Sequence, residues 1–225
     1  MTKYWPHPIK AVIFDNDGTI LDTLGIYRQV FKELIKHPLP NELARAVNGL
    51  SDIEASKKFV AYFNLDITPQ EFNHRRTERL SEILPQCKTM PGVERIIKKI
   101  SEMGKPMGVA TSSTRKSHMV KIMNHTDIFS LFKCDRCGDE VTNAKPAPEI
   151  FQKVAACLGD FKPENVLVFE DAYLGIKAAN NAGMPSVLLH VNDEDVNMGL
   201  DEVEAKPSVI INSFDQFDFN MFNWA

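Results

Sequence analysis

Ala11-Val12-Ile13-Phe14-Asp15-Asn16-Asp17-Gly18-Thr19 joins an uninterrupted apolar run to two carboxylates spaced two residues apart. Four consecutive apolar residues read as a strand buried on both faces, the pattern of a parallel sheet. The carboxylates then emerge at the strand's C-terminal end, where open α/β sheets bind ligands. Gly18 provides a tight turn away from that end. Two neighbouring acids in different surroundings can divide labour, one as nucleophile or metal ligand and the other as acid and base. Asp-x-Asp-Gly also suits a surface turn or a calcium loop. The calcium loop is disfavoured because Thr19-Ile20-Leu21 does not continue a ladder of oxygen ligands.

The rest of the chain is consistent with a sizeable core. Its 225 residues, 44% hydrophobic, suffice for one large domain or a core carrying a smaller insert. A formal charge of -4 gives no reason to expect nucleic acid as a partner. No apolar run reaches membrane-spanning length, and the first residues lack the apolar region of a signal peptide. A soluble, cytoplasmic protein is expected, as a monomer with a weak homodimer as the alternative. The four cysteines do not suggest a disulfide scaffold; Cys134-Asp135-Arg136-Cys137 has metal-knuckle spacing but lacks a second pair, so packing is the expected role.

Beyond the first strand, Thr23 to Lys36 repeats apolar residues at helical period, and helical patterns continue over Asn41–Gly49 and Asp52–Tyr62, with Ser51 as a cap. Thr68-Pro69-Gln70-Glu71 is a helix start, running to about Leu84 before Pro85. From Met90 the rhythm becomes strand–helix alternation. Strands are expected at Pro106–Ala110, Ser130–Arg136, Val166–Phe169, Ser186–Leu189 and Val209–Ile211, with helices after Pro91-Gly92 and over Thr114–Thr126, Pro148–Leu158 and Gly175–Asn181. This alternation predicts an α/β fold, a Rossmann-like, mostly parallel sheet covered on both faces. Residues 1–21 and 88–225 would form its core and 22–87 an inserted helical domain. The aromatic tail Phe214, Phe217, Phe219, Phe222 and Trp224 is expected to pack over the core.

Three more polar clusters fall at predicted strand ends. Thr111-Ser112-Ser113 offers hydroxyls and backbone N–H groups near a helix start, suited to phosphate oxygens as well as to a simple cap. Lys145, held in Ala144-Lys145-Pro146-Ala147-Pro148, has the rigidity of a charge clamp. Glu170-Asp171 presents two acids suited to a hard cation.

Taken together, these segments resemble the motifs of the haloacid dehalogenase-like superfamily, in particular phosphatases and phosphomutases with a small helical cap after the first motif. Phe14 to Thr19 resembles motif one, Ala110 to Ser113 motif two, Lys145 to Phe151 the lysine motif, and Val168 to Ala179 followed by Ala182-Gly183-Met184 motif four. Within the family the details are nearest to the pseudouridine-5'-phosphatase-like and sugar-phosphate phosphatase branch. The resemblance implies a Mg2+-dependent phosphatase acting on a small phosphorylated metabolite, such as a nucleotide or sugar monophosphate. Asp15 would be the nucleophile that carries an aspartyl-phosphate, and Asp17 the acid and base. Thr111 and the amide of Ser112 would hold the phosphoryl group, and Lys145 would neutralise it. Mg2+ would lie among Asp15, the carbonyl of Asp17 and Asp171, with Glu170 in support.

The sequence also departs from the family's pattern. Asn16 is given no catalytic role. Leu24 stands where many relatives carry glutamate, and Tyr27 stands where β-phosphoglucomutase has histidine. The loop Asn48-Gly49-Leu50-Ser51-Asp52 lacks that mutase's arginine, which favours hydrolysis over a mutase reaction. Tyr27, Asn48, Arg75, Arg76 and Arg79 are candidates for the leaving group, although arginines on a helix are commonly solvated. His118 and His125 read as surface or packing residues, since no carboxylate-rich partner set accompanies them. A phosphomutase of the same fold remains the alternative, with a non-catalytic binding protein as the alternative of another class.

Overall fold

A computed structural model describes residues 5–40, 42–43, 47, 52–191 and 196–225. The chain divides into two compact units, one formed by Met1–Asp22 with Lys88–Ala225 and the other by Thr23–Cys87. No helix among the described residues is long and apolar enough to cross a membrane.

The first unit is built on six strands: β1 (Ala11–Phe14), β2 (Met107–Ala110), β3 (Cys134–Arg136), β4 (Val166–Glu170), β5 (Ser186–Leu189) and β6 (Val209–Ile211). Their order is β3-β2-β1-β4-β5-β6, and every adjacent pair is parallel. The expectation of a mostly parallel sheet is met by a wholly parallel one. β1, β2, β4 and β5 are buried along their whole length, which is why their sequences lack apolar/polar alternation. The chain fills one side of β1 with β2 and β3, then returns to place β4 on the other side. That reversal opens a crevice at the C-terminal ends of β1 and β4.

Six of the nine helices among the described residues belong to this unit. On α4 (Val93–Glu102), Val93, Ile96, Ile97 and Ile100 are fully buried, an i, i+3, i+4, i+7 stripe. Each such side chain contributes roughly 1.5–3 kcal/mol by leaving water. One core cluster joins α7 (Glu149–Leu158) and α8 (Tyr173–Asn181) to the sheet through Ile150, Phe151, Val154, Ala178 and Ala179. Phe14 and Phe169 stack at 4.7 Å, and Phe214 and Phe217 of the C-terminal tail lie 5.9 and 5.1 Å from Phe169. The tail therefore packs as expected, with Phe214, Phe217 and Phe222 buried.

Between β2 and β4, the expected helix Thr114–Thr126 is split into α5 (Arg115–Ile122) and a single turn, α6 (Thr126–Phe129). The expected strand Ser130–Arg136 shrinks to β3, because the turn of α6 and the residues after it occupy its first half. A short helix α9 (Val196–Glu202), not foreseen, follows β5. The cysteine reading is corrected: Cys134 on β3 and Cys157 on α7 form a disulfide, while Cys87 and Cys137 lie outside it and are buried. The bridge takes Cys134 out of any metal knuckle. The partners are 23 residues apart, and sequence spacing gave no sign of their approach.

The second unit holds α1 (Leu24–Ile35), α2 (Asp52–Tyr62) and α3 (Pro69–Ile83) around Phe31, Ile35, Phe59 and Phe72. The Thr68 hydroxyl accepts from the Glu71 amide at 3.1 Å, and the helix ends at Ile83, as the capping residues and Pro85 foretold. Ser51 and Asn48 lie outside the described residues. The neck that joins this unit to the sheet is pinned by backbone pairing. The Asp22 amide donates to the Lys88 carbonyl at 2.8 Å, and Leu21 bridges Thr89 in antiparallel fashion.

Candidate active site

Asp15 is the first residue after β1, and its amide donates to the Phe169 carbonyl of β4 at 2.9 Å. Glu170 is the last residue of β4, with Asp171 next to it. The parallel register therefore brings all three acids to one point, where their oxygens lie within 4.8 Å of one another. Lys145 enters from the loop before α7. Its ammonium donates to Asp15 Oδ1 at 2.7 Å, to Glu170 Oε1 at 2.7 Å and to the Ala110 carbonyl at the end of β2 at 3.1 Å. It also stands 4.9 Å from the centre of the Phe151 ring. One buried cation thus ties together the ends of β1, β2 and β4.

This crowding changes the ionisation of the acids. Burial pushes the Asp15 carboxyl up to about 7, against the pull of Lys145 and with the added repulsion of Glu170 and Asp17. Burial, followed by the charges of Glu170 and Asp15, raises Asp171 well above the ordinary carboxylate range. Burial works against the Lys145 charge too, but Asp15 and Glu170 outweigh it and hold the ammonium above the ordinary lysine range. Three acids share one lysine, so the site has an excess of buried negative oxygen. Hard oxygen donors in excess charge are the chemistry of a Mg2+ site, and this set fits one.

Glu170 is held from several sides. The Ala172 amide donates to its Oε2 at 2.8 Å, and Gly175 of α8 lies directly against its carboxylate. A Cβ at position 175 would overlap the carboxylate of Glu170, so only glycine permits the approach. Gly175→Ala is expected to displace Glu170 from Lys145 and lower kcat/KM by at least about 10-fold in a protein that remains folded. Unchanged kcat/KM in that variant, measured beside its thermal melt, would show that the Glu170 position is unimportant. Thr19 completes this side, donating to Asp171 Oδ1 at 3.3 Å.

The second carboxylate of motif one faces a different set of groups. Asp17 Oδ2 accepts from Thr111 Oγ1 at 3.2 Å and from Ser113 Oγ at 3.0 Å, and Oδ1 accepts from Lys121 Nζ at 2.6 Å. Gly18, at a φ of 85°, makes the turn expected of it. Asp17 thus contributes no carboxylate oxygen to the three-acid cluster, and the expectation for it there concerned its main-chain carbonyl. Asn16 is buried, with its amide 3.5 Å from Asp17 Oδ2. Ser112 is exposed beside these groups, and Ser113 is the motif-two serine whose hydroxyl meets Asp17.

Sequence reasoning placed Ser113 in the Thr111–Ser113 cluster without a contact to Asp17, missed Lys121, and gave His118 a surface or packing role without its carboxylate. That histidine is fully buried, with Nε2 3.1 Å from Asp135 Oδ2, so it does have a carboxylate partner, reached from β3. Tyr27 is half-buried on α1, Arg75 pairs with Glu71 at 2.7 Å, and Arg76 donates to Asn73 at 3.3 Å. Arg79 bonds Glu33 at 2.7 Å, holding that exposed carboxyl down to about 2.

With this geometry in hand, comparison with known proteins is direct. Residues 12–189 match the family model of the haloacid dehalogenase-like hydrolases. The chain is 35% identical over 185 residues to the Drosophila melanogaster protein named "Probable pseudouridine-5'-phosphatase", covering 79% of this chain and 80% of that one. It is 34% identical over 203 residues to (DL)-glycerol-3-phosphatase 2 of Arabidopsis thaliana, covering 84% of each. The solved structure of a Deinococcus radiodurans HAD family hydrolase with bound phosphate and sodium shares the fold, with a TM-score of 0.76, 21% identity and 94% coverage of both chains. The chain belongs to the haloacid dehalogenase-like hydrolases.

Proposed function

We propose that the protein is a Mg2+-dependent phosphoric monoester hydrolase that releases phosphate from a small phosphorylated metabolite, a nucleotide or sugar monophosphate. The observation that carries this reading is the buried Lys145 ammonium, 2.7 Å from both Asp15 and Glu170, where β1 and β4 end. A carboxylate can attack an anionic phosphoryl group only where their mutual repulsion is cancelled, and Lys145 is placed to do so. The relatives named as phosphatases of small phosphorylated compounds support the same class of substrate.

In the first half of the reaction, Asp15 attacks phosphorus while the bond to the leaving oxygen breaks. Asp17 delivers a proton to that oxygen. In the second half, Asp17 takes a proton from water as the water oxygen attacks phosphorus, and the Asp15–phosphorus bond breaks to release phosphate. The Thr111 hydroxyl and the Ser112 amide are assigned to the phosphoryl oxygens. Asp15, Asp171 and the Asp17 carbonyl would hold Mg2+, with Glu170 beside them, and the bound ion supplies charge neutralisation at the transferring group.

The test is phosphate release from a panel of pseudouridine, uridine, glycerol and sugar monophosphates, with Mg2+ and with chelator. Turnover is expected with Mg2+ and a loss of at least about 100-fold in chelator. Silence across the panel from folded, Mg2+-supplied protein overturns the reading. Isomerisation of a sugar phosphate without phosphate release would replace it with the mutase.

A further inference from the structure

We propose that Lys121 is a positioning residue for the acid and base Asp17, an inference that rests on the phosphatase reading above. Lys121 is fully buried on α5, and its ammonium donates at 2.6 Å both to Asp17 Oδ1 and to Ser113 Oγ. The Ser113 hydroxyl donates in turn to Asp17 Oδ2 at 3.0 Å, closing a three-membered ring of contacts around the carboxylate. The Ser113 amide donates to Thr111 Oγ1 at 3.1 Å, and Thr111 Oγ1 reaches Asp17 Oδ2. Asp17 is thereby gripped at both oxygens, and its grip is continuous with the hydroxyl assigned to the phosphoryl group.

The helix that delivers Lys121 is anchored independently of Asp17. Arg115 Nη1 bonds Asp135 at 2.7 Å and its Nη2 bonds Glu140 at 2.8 Å, while His118 meets the other oxygen of Asp135. Lys121 follows His118 by three residues, so the same turn that is tied to β3 carries the ammonium to Asp17. Burying an ammonium is unfavourable unless it is paired, and an apolar side chain would pack this helix position without that cost. The lysine contributes orientation: a carboxylate that must serve the leaving oxygen and then the water needs one fixed direction.

The test exploits the leaving group. Phenolate leaves poorly and needs a proton in the transition state, whereas 2,4-dinitrophenolate leaves without one. In Lys121→Met, kcat/KM for phenyl phosphate is expected to fall about 100-fold, with a change of less than about 3-fold for 2,4-dinitrophenyl phosphate. Ser113→Ala, which removes one corner of the ring and leaves the lysine in place, is expected to show the same selectivity with a smaller loss. In an Asp17→Asn background, Lys121→Met should add no further loss on either ester. Equal losses on both esters, or none on either, overturn the positioning role while the phosphatase reading stands. A wild-type protein that cleaves neither ester with Mg2+ overturns both.

Discussion

Asp15→Asn is expected to lower phosphate release by at least about 10⁴-fold and, in metal-free buffer at pH 8, to raise the melting temperature. The first effect follows from removing the proposed nucleophile, since an amide oxygen cannot take over the proposed covalent step. The second follows from burial. With its carboxyl pushed up from 3.8 to about 7, Asp15 in the folded chain holds a proton that the unfolded chain has already released. Stability of the metal-free protein therefore falls as pH rises from about 4 to about 7 and reaches its floor above that window. The amide carries no such charge and escapes a penalty on the order of a few kcal/mol. Thermal melts of both proteins in chelator from pH 5 to pH 8 should diverge with rising pH. Mg2+ should then stabilise the wild type at pH 8 far more than the variant. Parallel melting curves across that range would mean that burial does not hold the Asp15 carboxyl near 7.

Lys145→Met is expected to damage both activity and folding, in contrast to Asp15→Asn. Methionine keeps the length of the side chain and removes the charge, leaving Asp15, Glu170 and Asp171 around a neutral group. Removing one partner of a buried ion pair costs roughly 3–5 kcal/mol, because the other partner stays behind unpaired. A loss of about 10³-fold in kcat/KM is expected, the scale of deleting a preorganised electrostatic contact to the transferring group. Acidification should partly restore stability as the stranded carboxyls take up protons, but it should not restore turnover. Denaturant unfolding at pH 5.5 and pH 8, run beside phosphate release, checks both halves. Wild-type stability at pH 8 would show that the acids do not depend on the lysine.

Much of this arrangement could be read from residue order alone. Ala11–Phe14 had to be buried on both faces, and the acids after it had to emerge at the strand end. Glu170 ends β4 and Thr111 directly follows the last residue of β2, so one reading of strand ends located three sides of the site. Thr68 and Pro69 likewise fixed the start of α3, because capping is settled within four residues. What escaped was lateral. Lys121 lies 104 residues from Asp17 and 8 from Ser113, and no local periodicity reveals that a lysine in a short helix is buried against a carboxylate. The same is true of His118 with Asp135 and of Cys134 with Cys157, whose partners are chosen by the way α5 and α7 lie against β3. β3 was drawn too long because Ser130–Lys133 has strand-like composition but follows directly on the turn of α6.

The pinned neck has a consequence for how this chain can change over evolutionary time. Asp22 and Lys88 are already joined by a backbone hydrogen bond, so for the sheet the whole stretch Thr23–Cys87 is an excursion whose two ends meet. The entropy of closing such an excursion grows only with the logarithm of its length. Lengthening, shortening or replacing the excursion therefore leaves the strand register and the buried charges almost untouched. Mutations on the two sides of the neck can accumulate as nearly independent histories, one conserving a reaction and the other free to explore.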